Sequence, residues 1–199
     1  MAAITNEGLY PKSEKSAWLA SCVPNHDVGF ALGIRNPASY LPELARHLQT
    51  GTSLPNPLIP DTLLWSDVIA DIAAANPGRE ILVWCHEDTP FIWSEIMQEV
   101  TGHDPFSSLA GEFDMLETIM TEDGMERLQE FLESRNVSDQ LKRRRAVAAF
   151  LEAHVIEEEI EAEIDLPGWT EETVATLTDH YEEDVTRISS MPEVTFISP

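Results

Sequence analysis

The chain is poor in positive charge. Its 199 residues include 12 Lys and Arg against 36 Asp and Glu, which gives a formal net charge of −24 at pH 7. A field of this sign repels DNA, RNA and anionic membranes, because all three carry negative charge themselves. We therefore expect neither a nucleic-acid partner nor a membrane partner.

Long apolar runs and cysteines are scarce as well. No apolar run approaches the roughly 20 residues that span a bilayer, and the first residues, MAAITNEG, lack the charged and apolar regions of a signal peptide. Cys22 and Cys85 are too few for a disulfide framework and show no metal-ligand spacing, so we interpret both as reduced, small apolar residues. These absences together predict a cytoplasmic protein without a metal site.

The remaining composition is that of an ordinary globular protein. The chain is 43% hydrophobic and 24% charged, and its length suits one domain with a sizeable core. We expect a single domain over residues 1–199, with an α/β part over 1–111 and a mainly helical part over 112–199.

The stretch DVGFALGIRNPASYLPELARHLQ, residues 27–49, organises the first part. Its apolar run from Val28 to Ile34 has the length of a strand and predicts one that is buried on both faces and central in its sheet. Arg35 follows at once, and Asn36-Pro37 then breaks the strand before a helix. Ligands gather at the carboxyl ends of strands in open parallel sheets, so Arg35 is a candidate anion-binding residue, and Ser39 could assist from the helix start or simply lie on the surface.

A second apolar run, from Ile81 to Cys85, predicts another central strand. His86 stands at its end beside Glu87 and Asp88, which makes it the candidate for proton transfer, because imidazole titrates near neutrality and a neighbouring carboxylate would orient it. The alternative is that Asp88 caps the following helix and that His86 is merely the last residue of the strand.

The order of elements predicts the fold class. Helices alternate with the two strands in the first hundred residues, which favours an α/β fold with a parallel sheet flanked by helices. The second half reads as helical, and its last helix begins near Thr170. The apolar stripe of that helix is formed by Val174, Leu177, Tyr181, Val185 and Ile188. A short closing strand is expected at residues 194–197.

Four consecutive basic residues, Lys142 to Arg145, hold a third of the positive charge. They could form a second grip on an anion beside Arg35, because guanidinium groups match oxyanions well. They could instead form a solvated helix face that pairs with nearby acids. Four consecutive helical positions point all round a helix, so these side chains cannot all meet one ligand.

Three segments resemble the sulfotransferase family. CVPNHDVGFALGIRNPASYLPELA, residues 22–45, is similar to the family segment in which a proline-bearing turn leads into a strand, an Arg-Asp-Pro or Arg-Asn-Pro turn and a helix. ILVWCHEDTPFIWSEIMQEVTG, residues 81–102, resembles a later strand with its Tyr-Glu-Asp type turn. LPGWTEETVATLTDHYEEDVTRI, residues 166–188, is similar to the last helix of bacterial members.

The resemblance implies a P-loop-related fold, a donor and a reaction. The donor is 3′-phosphoadenosine 5′-phosphosulfate, and Arg35 by its position would bind the 3′-phosphate. The reaction is transfer of a sulfuryl group to a hydroxyl or amine of an acceptor that the sequence does not identify.

The chain also departs from the family pattern. Sulfotransferases begin with a strand and a phosphate loop, whereas the nine glycines here are scattered and no Gly-Lys-Ser cluster exists. Glu43 stands where the family has a serine, and a carboxylate there would repel a phosphate. Whether the protein is an enzyme therefore stays open.

The sequence lacks the strand and phosphate loop with which the family begins, and two explanations are possible. Either a donor loop is supplied upstream and the protein is a sulfotransferase, or the chain is a non-catalytic binding or assembly module. In the second case an exposed sheet edge would need cover, and we expect a homo-oligomer.

Overall fold

The computed structural model describes residues 9, 13–48, 63–104, 108–135, 137, 139–157 and 169–199. The strands are β1 (Phe30–Ile34), β2 (Ile81–Cys85) and β3 (Val194–Ile197). The α-helices within the described ranges are α1 (Ser16–Ser21), α2 (Pro37–Leu48), α3 (Trp65–Ala75), α4 (Thr89–Thr101), α5 (Asp114–Glu117), α6 (Glu122–Ser134), α7 (Gln140–His154) and α8 (Glu171–Ser189). The same ranges hold 3₁₀ helices at Ser13–Lys15 and His86–Asp88.

The three described strands form one parallel sheet in the order β1-β2-β3. This confirms the predicted α/β class. Ile81, Leu82 and Val83 are all buried, so β2 is the central strand that its apolar run predicted. The predicted closing strand is also present, as β3.

The prediction for β1 was wrong. In the described sheet β1 has β2 as its one neighbour and is therefore an edge strand. Its burial alternates, with Ile34 fully buried but Ala31 and Gly33 exposed. The outward positions carry the two smallest residues of the strand, so a strand with one covered face has a continuous apolar sequence.

The described chain divides into two compact units. The first combines residues 1–83 with 164–196, and the second combines 84–163 with 197–199. The last helix α8 and most of β3 belong with the first unit, and the single domain with a boundary between its two parts at residue 111 stays a prediction.

In the first unit, α8 packs on α2 and α3. Leu177, Tyr181 and Ile188 are buried there, which confirms the predicted apolar stripe at these positions. The helix also begins as predicted, because the Thr170 side chain accepts a hydrogen bond from the backbone N–H of Thr173. No helix in the described ranges, α8 included, is long and apolar enough to cross a membrane.

In the second unit, α6 and α7 pack against each other and enclose the core. The core is formed by Leu116, Met120, Met125, Leu128, Leu132, Ala146, Val147 and Leu151. An antiparallel bridge between Met120 and Val155 ties the chain before α6 to the chain after α7. Gly124 lies against His154 at this junction, where an added Cβ would clash with the His154 Cβ. A glycine is therefore needed for the close approach of the two helices.

Candidate functional site

The chain leaves β1 at Arg35 and turns directly into α2. The Asn36 side chain fixes this turn, because its Oδ1 accepts a hydrogen bond from the backbone N–H of Ala38 at 2.9 Å. The indole Nε1 of Trp65 donates to the Arg35 carbonyl at 2.8 Å and holds the backbone from the side of α3. Arg35 thus starts from a fixed point at the carboxyl end of a strand, as the sequence predicted.

The Arg35 guanidinium reaches the first two turns of α2. Its Nε donates to Ser39 Oγ at 3.2 Å, and an Nη donates to the Glu43 carboxylate. The Ser39 hydroxyl in turn donates to the Asn36 carbonyl at 3.1 Å. The two predicted cofactor-binding residues, Arg35 and Ser39, therefore lie together, and Glu43 completes a chain of hydrogen bonds with them.

This arrangement already holds an oxyanion, namely the Glu43 carboxylate. The side chains of Arg35 and Glu43 are 25% and 42% exposed, so water screens their ion pair. Pairs of this kind contribute about 0.2–1 kcal/mol. A phosphate dianion that replaced the carboxylate would meet the same N–H donors with a larger charge. Glu43 would therefore compete with a phosphate for these N–H donors.

His86 is exposed and lies in the second unit, in the 3₁₀ helix His86–Asp88. Its ring makes no hydrogen bond with any described residue. Burial raises the pKa of the neighbouring Asp88 carboxyl, and the charge of Glu87 raises it further. The catalytic role of His86 stays a prediction.

The basic cluster divides between two environments. Arg143 donates to Glu112 at 3.0 Å, and Arg144 forms a two-point ion pair with Glu95, of which the Nε contact measures 2.6 Å. Arg144 also donates to the Ser198 carbonyl at 2.5 Å, and its hydrogen bond to Glu95 raises its pKa. These two arginines bind acids of their own unit, as the structural alternative predicted for them.

The other two basic residues, Lys142 and Arg145, point away from those acids and line a cavity between α6 and α7. Sequence reasoning missed both the acceptors and the cavity. Glu95 could have been noticed, since it stands between the buried Ile92 and Ile96 on α4. An acid at such a position needs a cation.

No family model matches the chain, and neither a curated protein nor a solved structure is similar enough to count as a match. The resemblance to sulfotransferases therefore rests on the three segments quoted above. In the described ranges, no group of three or more His, Cys, Asp or Glu side chains could hold a metal ion.

Proposed function

We propose that the chain is a sulfotransferase-like protein in which Arg35 and Ser39 bind the 3′-phosphate of 3′-phosphoadenosine 5′-phosphosulfate. The observation that supports the proposal is the hydrogen bond between Arg35 Nε and Ser39 Oγ at the carboxyl end of a parallel strand. A guanidinium and a hydroxyl side by side provide donors of the kind that a phosphate monoester requires.

The residues of this chain would bind and position the nucleotide. Arg35 would direct its N–H groups at the phosphate, and Ser39 would release the Asn36 carbonyl and donate to a phosphate oxygen instead. The bound nucleotide supplies the sulfuryl group, whose sulfur–oxygen bond breaks as the acceptor oxygen or nitrogen bonds to sulfur and loses its proton. Catalysis of such a transfer consists mainly of positioning and electrostatic stabilisation. The proposal therefore requires a phosphate loop upstream of the described segments for activity, but not for binding at Arg35.

Calorimetric titration with adenosine 3′,5′-bisphosphate tests the binding step. We expect the unaltered chain to bind, Arg35→Ala to lose binding by tenfold or more, and Ser39→Ala to weaken it about two- to fivefold. Glu43→Gln should tighten binding about two- to fivefold, because it removes the competing carboxylate but keeps the shape of the side chain.

The matched control is Arg127→Ala. Arg127 also forms an ion pair, with Asp123 one helical turn away, but both side chains are about 60% exposed. This variant loses the same charge elsewhere and should bind like the unaltered chain. If the folded, unaltered chain does not bind the bisphosphate, or if Arg35→Ala binds equally well, the proposal is wrong.

The second candidate is a non-catalytic assembly module. Two observations favour it, since Glu43 neutralises Arg35 and β1 has β2 as its one neighbour in the described sheet. An edge strand offers backbone groups to another chain, and a second copy could pair with it. Sedimentation equilibrium should then show a dimer that dissociates when Ala31→Lys places a charge on the exposed face of β1. A monomeric unaltered chain would rule this candidate out.

A further inference from the structure

A cavity of about 650 Å³ lies between α6 and α7 in the second unit. We call it the α6–α7 groove, and its lining consists of Phe131, Arg135, Val137, Asp139, Lys142, Arg145, Ala146, Ala149 and Phe150. The five residues from α7 follow the spacing i, i+3, i+4, i+7, i+8, so one continuous face of that helix borders the groove. The volume is in the range typical of small-molecule sites, roughly 300–1,000 Å³.

The groove is positive in a strongly negative protein. Arg135, Lys142 and Arg145 contribute three positive charges and Asp139 one negative charge, which leaves a formal balance of +2 in a chain of −24. Within the described part of the chain, none of these three cations forms an ion pair. Their neighbours Arg143 and Arg144 both do. Acids outnumber bases threefold in this chain, so three cations that line one cavity and pair with no carboxylate among the described residues favour an external anion.

The other lining side chains are apolar. The Phe131 and Phe150 rings lie 5.8 Å apart between centroids, and the Arg135 guanidinium lies 5.8 Å from the Phe131 centroid. Ala146 and Ala149 have small side chains, which leave space on the α7 side of the groove. Aromatic faces and small side chains bind the flat apolar part of a ligand. A cation beside an aromatic ring can bind an anionic group of the same ligand.

We propose that the α6–α7 groove binds a small organic anion that has an aromatic or otherwise apolar body and a carboxylate, sulfate, sulfonate or phosphate group. The apolar body would lie on Phe131, Phe150 and the two alanines, and the anionic group would face Lys142 and Arg145. The volume of about 650 Å³ and the three clustered cations favour a small molecule over an acidic peptide, whose charges would need cations along the whole length of a helix. This site is separate from Arg35 and does not depend on the proposed nucleotide binding.

Anilinonaphthalene sulfonate is a suitable probe, because it joins an aromatic body to one negative charge. We expect saturable fluorescence enhancement and a calorimetric stoichiometry of one probe per folded chain. The uncharged analogue phenylnaphthylamine should bind at least about fivefold more weakly, and added salt should weaken the sulfonate much more than the uncharged analogue.

Two variants and two controls locate the probe. Lys142→Gln with Arg145→Gln should weaken the sulfonate about fivefold or more, and Ala149→Glu, a change at an exposed helical position, should abolish its binding. Lys15→Gln with Arg187→Gln removes two exposed charges from the first unit and should change nothing, and neither should Arg35→Ala.

Equal binding of the charged and uncharged probes would overturn the proposal, as would indifference to both groove variants. Sedimentation equilibrium supplies a further outcome. A dimer that Ala149→Glu converts to a monomer would mean that a second copy of the chain occupies the groove instead.

Discussion

The Asp184 carboxylate caps α3 from a helix 119 residues further along the chain. Its Oδ2 accepts hydrogen bonds from the backbone N–H of Trp65 at 2.6 Å and of Ser66 at 3.0 Å. Asp184 is only 2% exposed, so the contact replaces water at the positive end of α3. The helix needs this acceptor because the side chain at its own N-cap position is Leu64, which cannot accept a hydrogen bond.

Removal of the Asp184 carboxylate should destabilise the protein. Asp184→Ala leaves two N–H groups buried without an acceptor, and we expect it to lower the free energy of unfolding by about 2–3 kcal/mol. Asp184→Asn keeps one oxygen acceptor and should cost about 1 kcal/mol. Urea unfolding measures both. Asp179→Ala, an exposed change on the same helix, is the control, and an equal loss in the two alanine variants would contradict the capping role.

Arg144 joins α7 to α4 and to the C-terminal segment. The Glu95 and Arg144 side chains are 10% and 21% exposed, so Arg144→Ala would leave a nearly buried carboxylate without its partner. We expect a loss of about 2–3 kcal/mol in the free energy of unfolding, somewhat below that of a fully buried pair. Arg144→Lys keeps the charge but not the two-point contact and should lose about half as much.

The control for Arg144 is the next residue, Arg145, which is exposed. Arg145→Ala should change the free energy of unfolding by less than about 0.5 kcal/mol. Chemical denaturation would refute the bridging role of Arg144 if both alanine variants unfolded at the same urea concentration.

Gly124→Ala should reverse the usual effect of this substitution in a helix. Alanine is ordinarily favoured over glycine there by about 1 kcal/mol. At this position, however, the new methyl would clash with the His154 Cβ and lie 3.0 Å from the Met120 Cγ. We expect a net loss of about 1–2 kcal/mol in thermal or urea unfolding. Glu126→Ala, an exposed change on the same helix, should be nearly neutral, and a Gly124→Ala variant more stable than the parent would disprove the close contact.

Asp88 should make stability depend on pH. Burial and Glu87 raise its pKa in the folded protein, so the folded state favours the protonated carboxyl. The stabilisation by this proton is complete below the unfolded-state value of about 3.9 and is lost as the pH rises through the raised folded pKa. Asp88→Asn, which stays neutral, should therefore gain in unfolding free energy relative to the parent over this window. The gain should stay under about 1 kcal/mol, since the side chain remains partly solvated.

Urea unfolding in steps between about pH 4 and pH 7 measures the difference for Asp88. The control is Glu152→Gln, which removes one negative charge at an exposed position of the same unit. A difference between Asp88→Asn and the parent that does not grow with pH would show that the carboxyl titrates normally.

Local patterns in the sequence predicted the elements well but not their long-range partners. The spacing of Leu177, Tyr181 and Ile188 gave the buried face of α8, and the hydrophilic Asp184 stands on the same stripe, three residues after Tyr181. An acid on a buried helix face indicates a carboxylate that accepts hydrogen bonds inside the protein. Its acceptor role for Trp65 could not be predicted, because nothing local links residues 119 positions apart.

The candidate site shows the same limit. The predicted turn after β1 brings Arg35 and Ser39 close together, because they are only four residues apart, and their role in binding stays a prediction. The sequence indicates that Glu43 is unfavourable for a phosphate, but it does not predict the ion pair of Glu43 with Arg35. The sequence does not predict the α6–α7 groove, because the lining residues come from two helices whose packing no local pattern shows.

The first unit consists of two separate segments of the chain, so it can be completed only late in synthesis. A ribosome delivers residues 84–163, the bulk of the second unit, before it delivers α8 and β3. Until then β2 lacks one neighbouring strand and α3 lacks the Asp184 cap. We therefore expect residues 84–163 to fold first. The first unit would fold later, when α8 and β3 have been synthesised.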